Sequence, residues 1–289
     1  MLTSLDLSNN YLTDEGVSAV CEAIQSNKET KLASLNFGYN AIGPVGAKSV
    51  AAMVSAAGGL TELSINGNQI GDEGVGAICE AIQSNKETKL ASLNFGKNDN
   101  GPVGANAVAA LIAVTGSVTS LSLAENELGD EGAEALLIGL KENKSLTTLD
   151  LSGKGYGDGL IGSRGVTALA SAISVNGGLT SFNLSGNNLT HYGRDMTGIT
   201  KLATALGLNV RLTALDLSLN YLKDEGVSAV CEAIQSNKET KLALLNFEHN
   251  GIGPVGANAV AAMVAVRRRA DQFIVAYAVP APPEYRDRW

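Results

Sequence analysis

The sequence predicts a curved α/β solenoid, a horseshoe of nine strand–helix units with a parallel sheet on its concave face. Three observations predict it. Long stretches recur nearly unchanged: residues 11–33 and 221–243 differ only at Thr13 and Lys223, and residues 74–98 match 16–40 except at positions 76, 78 and 97. A shorter pattern, L-x-x-L-x-L-x-x-N-x-L, runs beneath these copies and begins at Leu2, Leu32, Leu60, Leu90, Val118, Leu146, Leu179, Leu212 and Leu242. Aromatic residues are 4% of a chain that is 45% hydrophobic, so the core must be built from aliphatic side chains in regular array.

Each unit justifies its own elements. L-x-L alternates with period two, as a short strand with one buried face does. The Asn that follows suits a bend, where its side chain can satisfy backbone groups. A helix of about three turns comes next. In repeat one it is read over residues 17–26, with apolar Val17, Val20, Cys21 and Ile24 at i, i+3, i+4 and i+7. Asp14, Asp72, Asp130 and Asp224 stand where an N-cap for their own helix belongs. Pro44, Pro102 and Pro254 suit a first helical position, where a missing N–H costs nothing. No unit can bury its apolar edge alone, so stacking supplies the core. Strands repeat at about 4.8 Å and helices at about 10 Å, which bends the stack by roughly 20° per unit.

These repeats resemble the leucine-rich-repeat family, specifically its long-repeat, ribonuclease-inhibitor-like class. The resemblance covers residues 2 to about 266. Two copies depart from the pattern: Asn100 replaces the final Leu of repeat four, and Lys154 and Tyr156 replace the Asn and final Leu of repeat six. The resemblance implies a non-enzymatic scaffold that binds another protein. Two alternatives are a GTPase-activating regulator resembling the Ran GTPase-activating protein, with Arg164 and Arg194 on rim loops, and the repeat portion of a larger innate-immune-type sensor. The expected division is a solenoid over 1–266 and a tail over 267–289.

Composition excludes several classes. The net charge of −8 argues against nucleic acid and against anionic membrane surfaces. No apolar run approaches the ~20 residues that span a bilayer. The first twenty residues lack a basic start followed by an apolar stretch, which predicts no secretory leader and a cytoplasmic or nuclear location. Repeat one begins almost at Met1 without a polar cap, so the expectation is either a truncated reading frame or a covering domain or subunit at that edge.

No cofactor, metal site or catalytic set is expected. Cys21, Cys79 and Cys231 share one helix position and read as small apolar residues. The recurrent Asp–Glu pairs at helix starts read as caps with a favourable dipole contact. Gly157, Gly159 and Gly162 fit G-x-G-x-x-G between a strand and a helix, but every unit supplies that context. Asn143, Asn183 and Asn188 head N-x-S/T sequons, which the expected location leaves unmodified.

The concave face carries small polar residues. Larger ones stand at the eighth motif position: Tyr39, Lys97, Glu125 and His249. Repeats six and seven each carry about five extra residues, at 155–165 and 190–198. Insertions in solenoids map to one face, often a binding one. The expected partner contacts are therefore Tyr156, Asp158, Arg164, His191, Tyr192, Arg194 and Asp195, on two loops packed side by side, together with the eighth-position residues. In the tail, Ala270, Phe273 and Val275 continue the motif, which predicts a degenerate strand over 272–278 before Pro280, Pro282 and Pro283.

Overall fold

The structure is a computed structural model and describes residues 2–27 and 29–266 with the backbone of 274–275. Strands and helices alternate along the chain: β1 (Ser4–Asp6), α1 (Thr13–Ser26), β2 (Ser34–Asn36), α2 (Pro44–Ala56), β3 (Glu62–Ser64), α3 (Gly71–Ser84), β4 (Ser92–Asn94), α4 (Pro102–Val114), β5 (Ser120–Ser122), α5 (Gly129–Glu142), β6 (Thr148–Asp150), α6 (Ser163–Ile173), β7 (Ser181–Asn183), α7 (Thr197–Leu208), β8 (Ala214–Asp216), α8 (Lys223–Ser236), β9 (Leu244–Asn246), α9 (Pro254–Val266) and β10 (Ile274–Val275). The strands form one open parallel sheet in sequence order. Among the described residues, each helix packs on its neighbouring helices in the stack and on no other helix. This is the expected α/β solenoid.

Register follows the repeat. Leu5, Leu35, Leu63, Leu93, Leu121, Leu149, Phe182, Leu215 and Leu245 lie opposite one another in successive strands. All but Leu5, in the first strand, are buried; Leu5 is half-buried. At the other edge Val275 lies opposite Leu245. The motif read onward had put Phe273 there. Apart from 274–275, the tail 267–289 lies outside the described residues, and so does the rest of the strand expected over 272–278.

Two ladders of asparagine lock the units. Asn126 represents the first, at the strand-exit bend. Its Nδ2 donates to the carbonyls of Phe95 and Leu123, each at 2.9 Å, and its Oδ1 accepts the N–H groups of Asn98 and Asn100 at 2.9 and 3.1 Å. The second ladder stands at helix C-termini and was missed in the sequence. Asn85, Asn143, Asn176, Asn209 and Asn237 each donate to a carbonyl of the preceding helix, at 2.6–3.1 Å. The recurrence of Asn just after most of the helices was the available signal.

The acidic residues at helix starts do not cap their own helices. α1 begins at Thr13, a turn before the expected start, and its N-cap residue Leu12 offers no side-chain bond. Asp14 instead reaches the following unit, where its Oδ1 accepts the N–H groups of Gly43 and Gly46 at 2.7 and 2.9 Å. Asp72, Asp130 and Asp224 do the same for α4, α6 and α9 at 2.7–2.9 Å. Each carboxylate thus satisfies orphan donors of a neighbouring helix and sits at its positive dipole end. Glycine is required where the carboxylate approaches: a Cβ on Gly46, Gly104, Gly165 or Gly256 would lie 2.6–2.7 Å from Asp Oδ1.

Candidate functional site

Loop 155–165 owes its shape to glycine. Gly155, Gly157 and Gly159 all take positive φ, which only glycine adopts without strain. Tyr156 and Asp158 project into solvent. The third glycine of the G-x-G-x-x-G pattern, Gly162, is the N-cap of α6, and its N–H already serves Asp130 at 2.7 Å. A carboxylate therefore fills the place a phosphate would take at that helix start. Arg164 turns toward repeat five. It bonds Glu131, places Nε 2.9 Å from Glu134 and lies 3.9 Å from Asp130. The Arg164 guanidinium holds the Glu131 carboxyl below its usual range.

Loop 190–198 is built differently. Thr190 is fully buried; its Oγ1 donates toward the carbonyls of Asn220 and Tyr221, each at 3.0 Å, and accepts from the Gly193 N–H at 2.9 Å. Its carbonyl accepts the N–H groups of Arg194 and Asp195, each at 2.9 Å. His191, Tyr192 and Gly193 are consecutively left-handed, with φ of 48°, 58° and 79°. Non-glycine residues hold such angles only when surroundings impose them. The result is a presented pair of rings: Tyr192, 47% exposed, meets Tyr221 edge-on at 5.3 Å and His191 at 6.0 Å. Arg194 is exposed. Asp195 caps α7 through the Thr197 N–H at 2.9 Å. The Thr197 backbone and side chain, with Ser163, hold its carboxyl below the usual range.

The two loops meet at their bases. The Asn188 N–H donates to the Ile161 carbonyl and the Gly198 N–H to Ser163 Oγ, each at 3.0 Å. Their long side chains diverge: Arg164 is drawn to repeat five and Tyr192 to repeat eight. Sequence reasoning had grouped them because it saw adjacency in the stack and not the acids of α5.

The eighth-position residues take left-handed backbone at the strand exit. Tyr39 lies across Gly67, whose absent Cβ would sit 2.6 Å from the ring. Lys97 Nζ stands 5.5 Å from the same ring and 3.9 Å from Glu125. These three form one exposed row over repeats two to five. His249 is separate from them and lies 3.4 Å from Glu248. The polar strand residues are engaged locally: Asp6, Asn36, Asn94, Asp150, Asn183, Asp216 and Asn246 each accept the N–H two residues on, at 2.8–3.0 Å.

Cys21, Cys79 and Cys231 are buried free thiols, and burial pushes each up to about 12. Asn143 is buried with its amide committed to the second ladder. Among the described residues, no group of three or more His, Cys, Asp or Glu could hold a metal ion. None of the described helices is long and apolar enough to cross a membrane. A cavity of about 490 Å³ opens between the helix ends of repeats one and two, lined by Ile24, Asn27, Met53 and Ala57. Ala57 there replaces the ladder asparagine.

The leucine-rich-repeat family model matches residues 1–21, 28–51, 60–79, 117–137, 209–231 and 239–261. No curated protein matches the chain. Two solved structures are similar in part. The leiomodin-1 actin-binding site 2 shares 18% identity over 65% of this chain and 86% of its own, with a TM-score of 0.41. A Bacteroides fragilis protein shares 15% identity over 90% of this chain and 71% of its own, with a TM-score of 0.49. Six matched repeats coincide with the strand–bend–helix units described above, and the chain is a leucine-rich-repeat protein.

Proposed function

We propose that the chain is a non-enzymatic protein-interaction scaffold of the ribonuclease-inhibitor-like class, and that loop 190–198 carries its main partner contacts. The observation that supports this is the pre-organised ring pair. His191 and Tyr192 are exposed, yet the buried Thr190 and the left-handed backbone hold them in one arrangement. Pre-ordered aromatic side chains lose little entropy on binding and are favoured as anchors. Arg194 on the same loop adds a planar donor group. Tyr156 and Asp158 extend the surface on the neighbouring loop, and Tyr39, Lys97 and Glu125 form a second, more distant patch.

Arg164 has a different part. Three carboxylates of α5 claim its guanidinium, so it ties repeat six to repeat five. The GTPase-activating reading needs a free rim arginine; Arg164 is engaged, which leaves Arg194 alone for that part.

The test is affinity capture with the intact chain beside a His191→Ala, Tyr192→Ala, Arg194→Ala variant whose circular dichroism and melting temperature match the parent. The expected result is loss of a partner that the parent retains. Equal retention of every partner by the variant would refute the assignment of the loop.

A further inference from the structure

Repeat one and repeat eight offer the same surface in two circumstances. Residues 11–33 and 221–243 differ at a single position. In repeat eight, α7 packs against this surface, and Leu222, Val230 and Ile234 are buried. In repeat one the equivalent Leu12, Val20 and Ile24 are only partly buried, and Leu5 and Leu7 beside them likewise. Asn10, the ladder asparagine of this unit, is exposed and bonds only its own bend, through the Leu7 and Ser8 carbonyls at 3.0 and 3.2 Å. Its counterparts in later repeats reach across to the unit before them.

The opposite end carries a matching surface. Residues 242–264 reproduce 32–54 except at positions 244, 248, 249, 251, 258 and 259. Ile42, Ala47, Val50 and Val54 of repeat two are buried against repeat three. Their equivalents in repeat nine are open: Ile252 is 37% exposed, Ala257 is exposed, and Val260 and Val264 are half-buried.

We propose that repeat nine of one copy stacks on repeat one of a second copy, reproducing the packing of repeat two on repeat three. The template is inside the molecule, because repeat three is the near-copy of repeat one and repeat two the near-copy of repeat nine. In that template Gly74 sits against Ala47, close enough that a Cβ would meet it at 2.8 Å. Gly16 and Ala257 are the corresponding pair. Asn68 Oδ1 accepts the N–H groups of Asn40 and Ile42 at 2.9 and 3.0 Å. Asn10 would accept those of Asn250 and Ile252. The junction needs no bridging carboxylate: repeat two carries Pro44 at the position of Asp14, and repeat nine carries Pro254 there. On the sheet edge β10 covers two residues of β9, so the incoming β1 takes that edge from it. Among the described residues no helix covers the far face of α9. The contact joins two different surfaces, so it is head-to-tail and propagates into a ring or an open chain.

Sedimentation velocity of the full chain, from low micromolar to submillimolar concentration, tests this. Two blocked variants give the decisive arm: Val20→Glu on the repeat-one face and Ala261→Arg on the repeat-nine face. Circular dichroism and melting confirm that each is folded, with Ile24→Lys and Val260→Lys as replacements where one is not. The parent is expected to associate as concentration rises, each variant alone to stay monomeric, and an equimolar mixture of the two to form a dimer and no larger species. A parent that stays monomeric throughout overturns the proposal. So does association that survives in either variant alone, or a mixture that stays monomeric.

Discussion

Interfaces between units come in two kinds. Those from repeats one to two, three to four, five to six and eight to nine are bridged by an aspartate that caps the next helix. Those from two to three, four to five and seven to eight place Pro44, Pro102 or Met196 at the same position and have no such bridge. The junction of repeats six and seven is intermediate: Ser163 replaces the aspartate and accepts the Gly198 N–H, while Asp195 caps α7 from within its own repeat. The stack is therefore built of carboxylate-bridged pairs joined to one another by strand pairing, the asparagine ladders and packing without that bridge, and loop 190–198 interrupts the alternation. A region that has lost the copied cap has gained a loop with its own cap, and that loop presents the exposed rings.

The largest effect is expected in the apolar ladder of the core. Leu121, in the strand of repeat five, is buried between neighbouring core residues of the ladder. Leu121→Ala should cost about 2–5 kcal/mol in denaturant unfolding, the range for core truncations. A loss below about 1 kcal/mol would mean that the ladder does not bear on stability as described. Next comes the bridge itself. Asp72→Ala leaves the Gly101 and Gly104 donors without their acceptor and should cost about 1–3 kcal/mol. Ser163→Ala removes the hydroxyl that accepts the Gly198 N–H and also bonds Asp195, and should cost about 0.5–1.5 kcal/mol, so the ratio of the two measures how far the irregular junction has been weakened.

The smallest effect is in acid. Asp195 and Glu131 both have depressed carboxyl values, so their contributions are complete above the unfolded values near 4 and are lost as pH falls through the lowered ones. Stability should be insensitive to these two groups between pH 5 and 7, in the range set by ordinary carboxylates of about 4. An Asp195→Asn variant should lose part of the decline below about pH 4, measured by melting temperature. Glu131 is exposed and Asp195 only half-buried, so the change is small against the bridges.

The fold was legible because the repeat is a period, and a period fixes register: every strand from β1 to β9 begins two residues after its motif start. What local rules misread was direction. Asp14 at a helix start reads as a cap for that helix, because the N-cap rule concerns one helix at a time. The signal for the true partner was at longer range. Gly43 and Gly46, Gly101 and Gly104, Gly162 and Gly165, and Gly253 and Gly256 each follow an Asp by one unit, and repeat seven has lost both the Asp before it and the first glycine. The candidate contacts were legible as irregularity alone. Irregularity located the two loops, but the capture of Arg164 by α5 and the anchoring of Thr190 depend on neighbours that no stretch of sequence displays.

The claim that carboxylates cap across the interface has a direct test in native-state amide hydrogen exchange of the Asp72→Ala variant. Gly101 and Gly104 donate to Asp72 and begin α4, whereas Gly74 donates to Ile70 within its own helix. The expected result is faster exchange at Gly101 and Gly104 with Gly74 unchanged. Faster exchange in the first turn of α3, with Gly101 and Gly104 still protected, would contradict it.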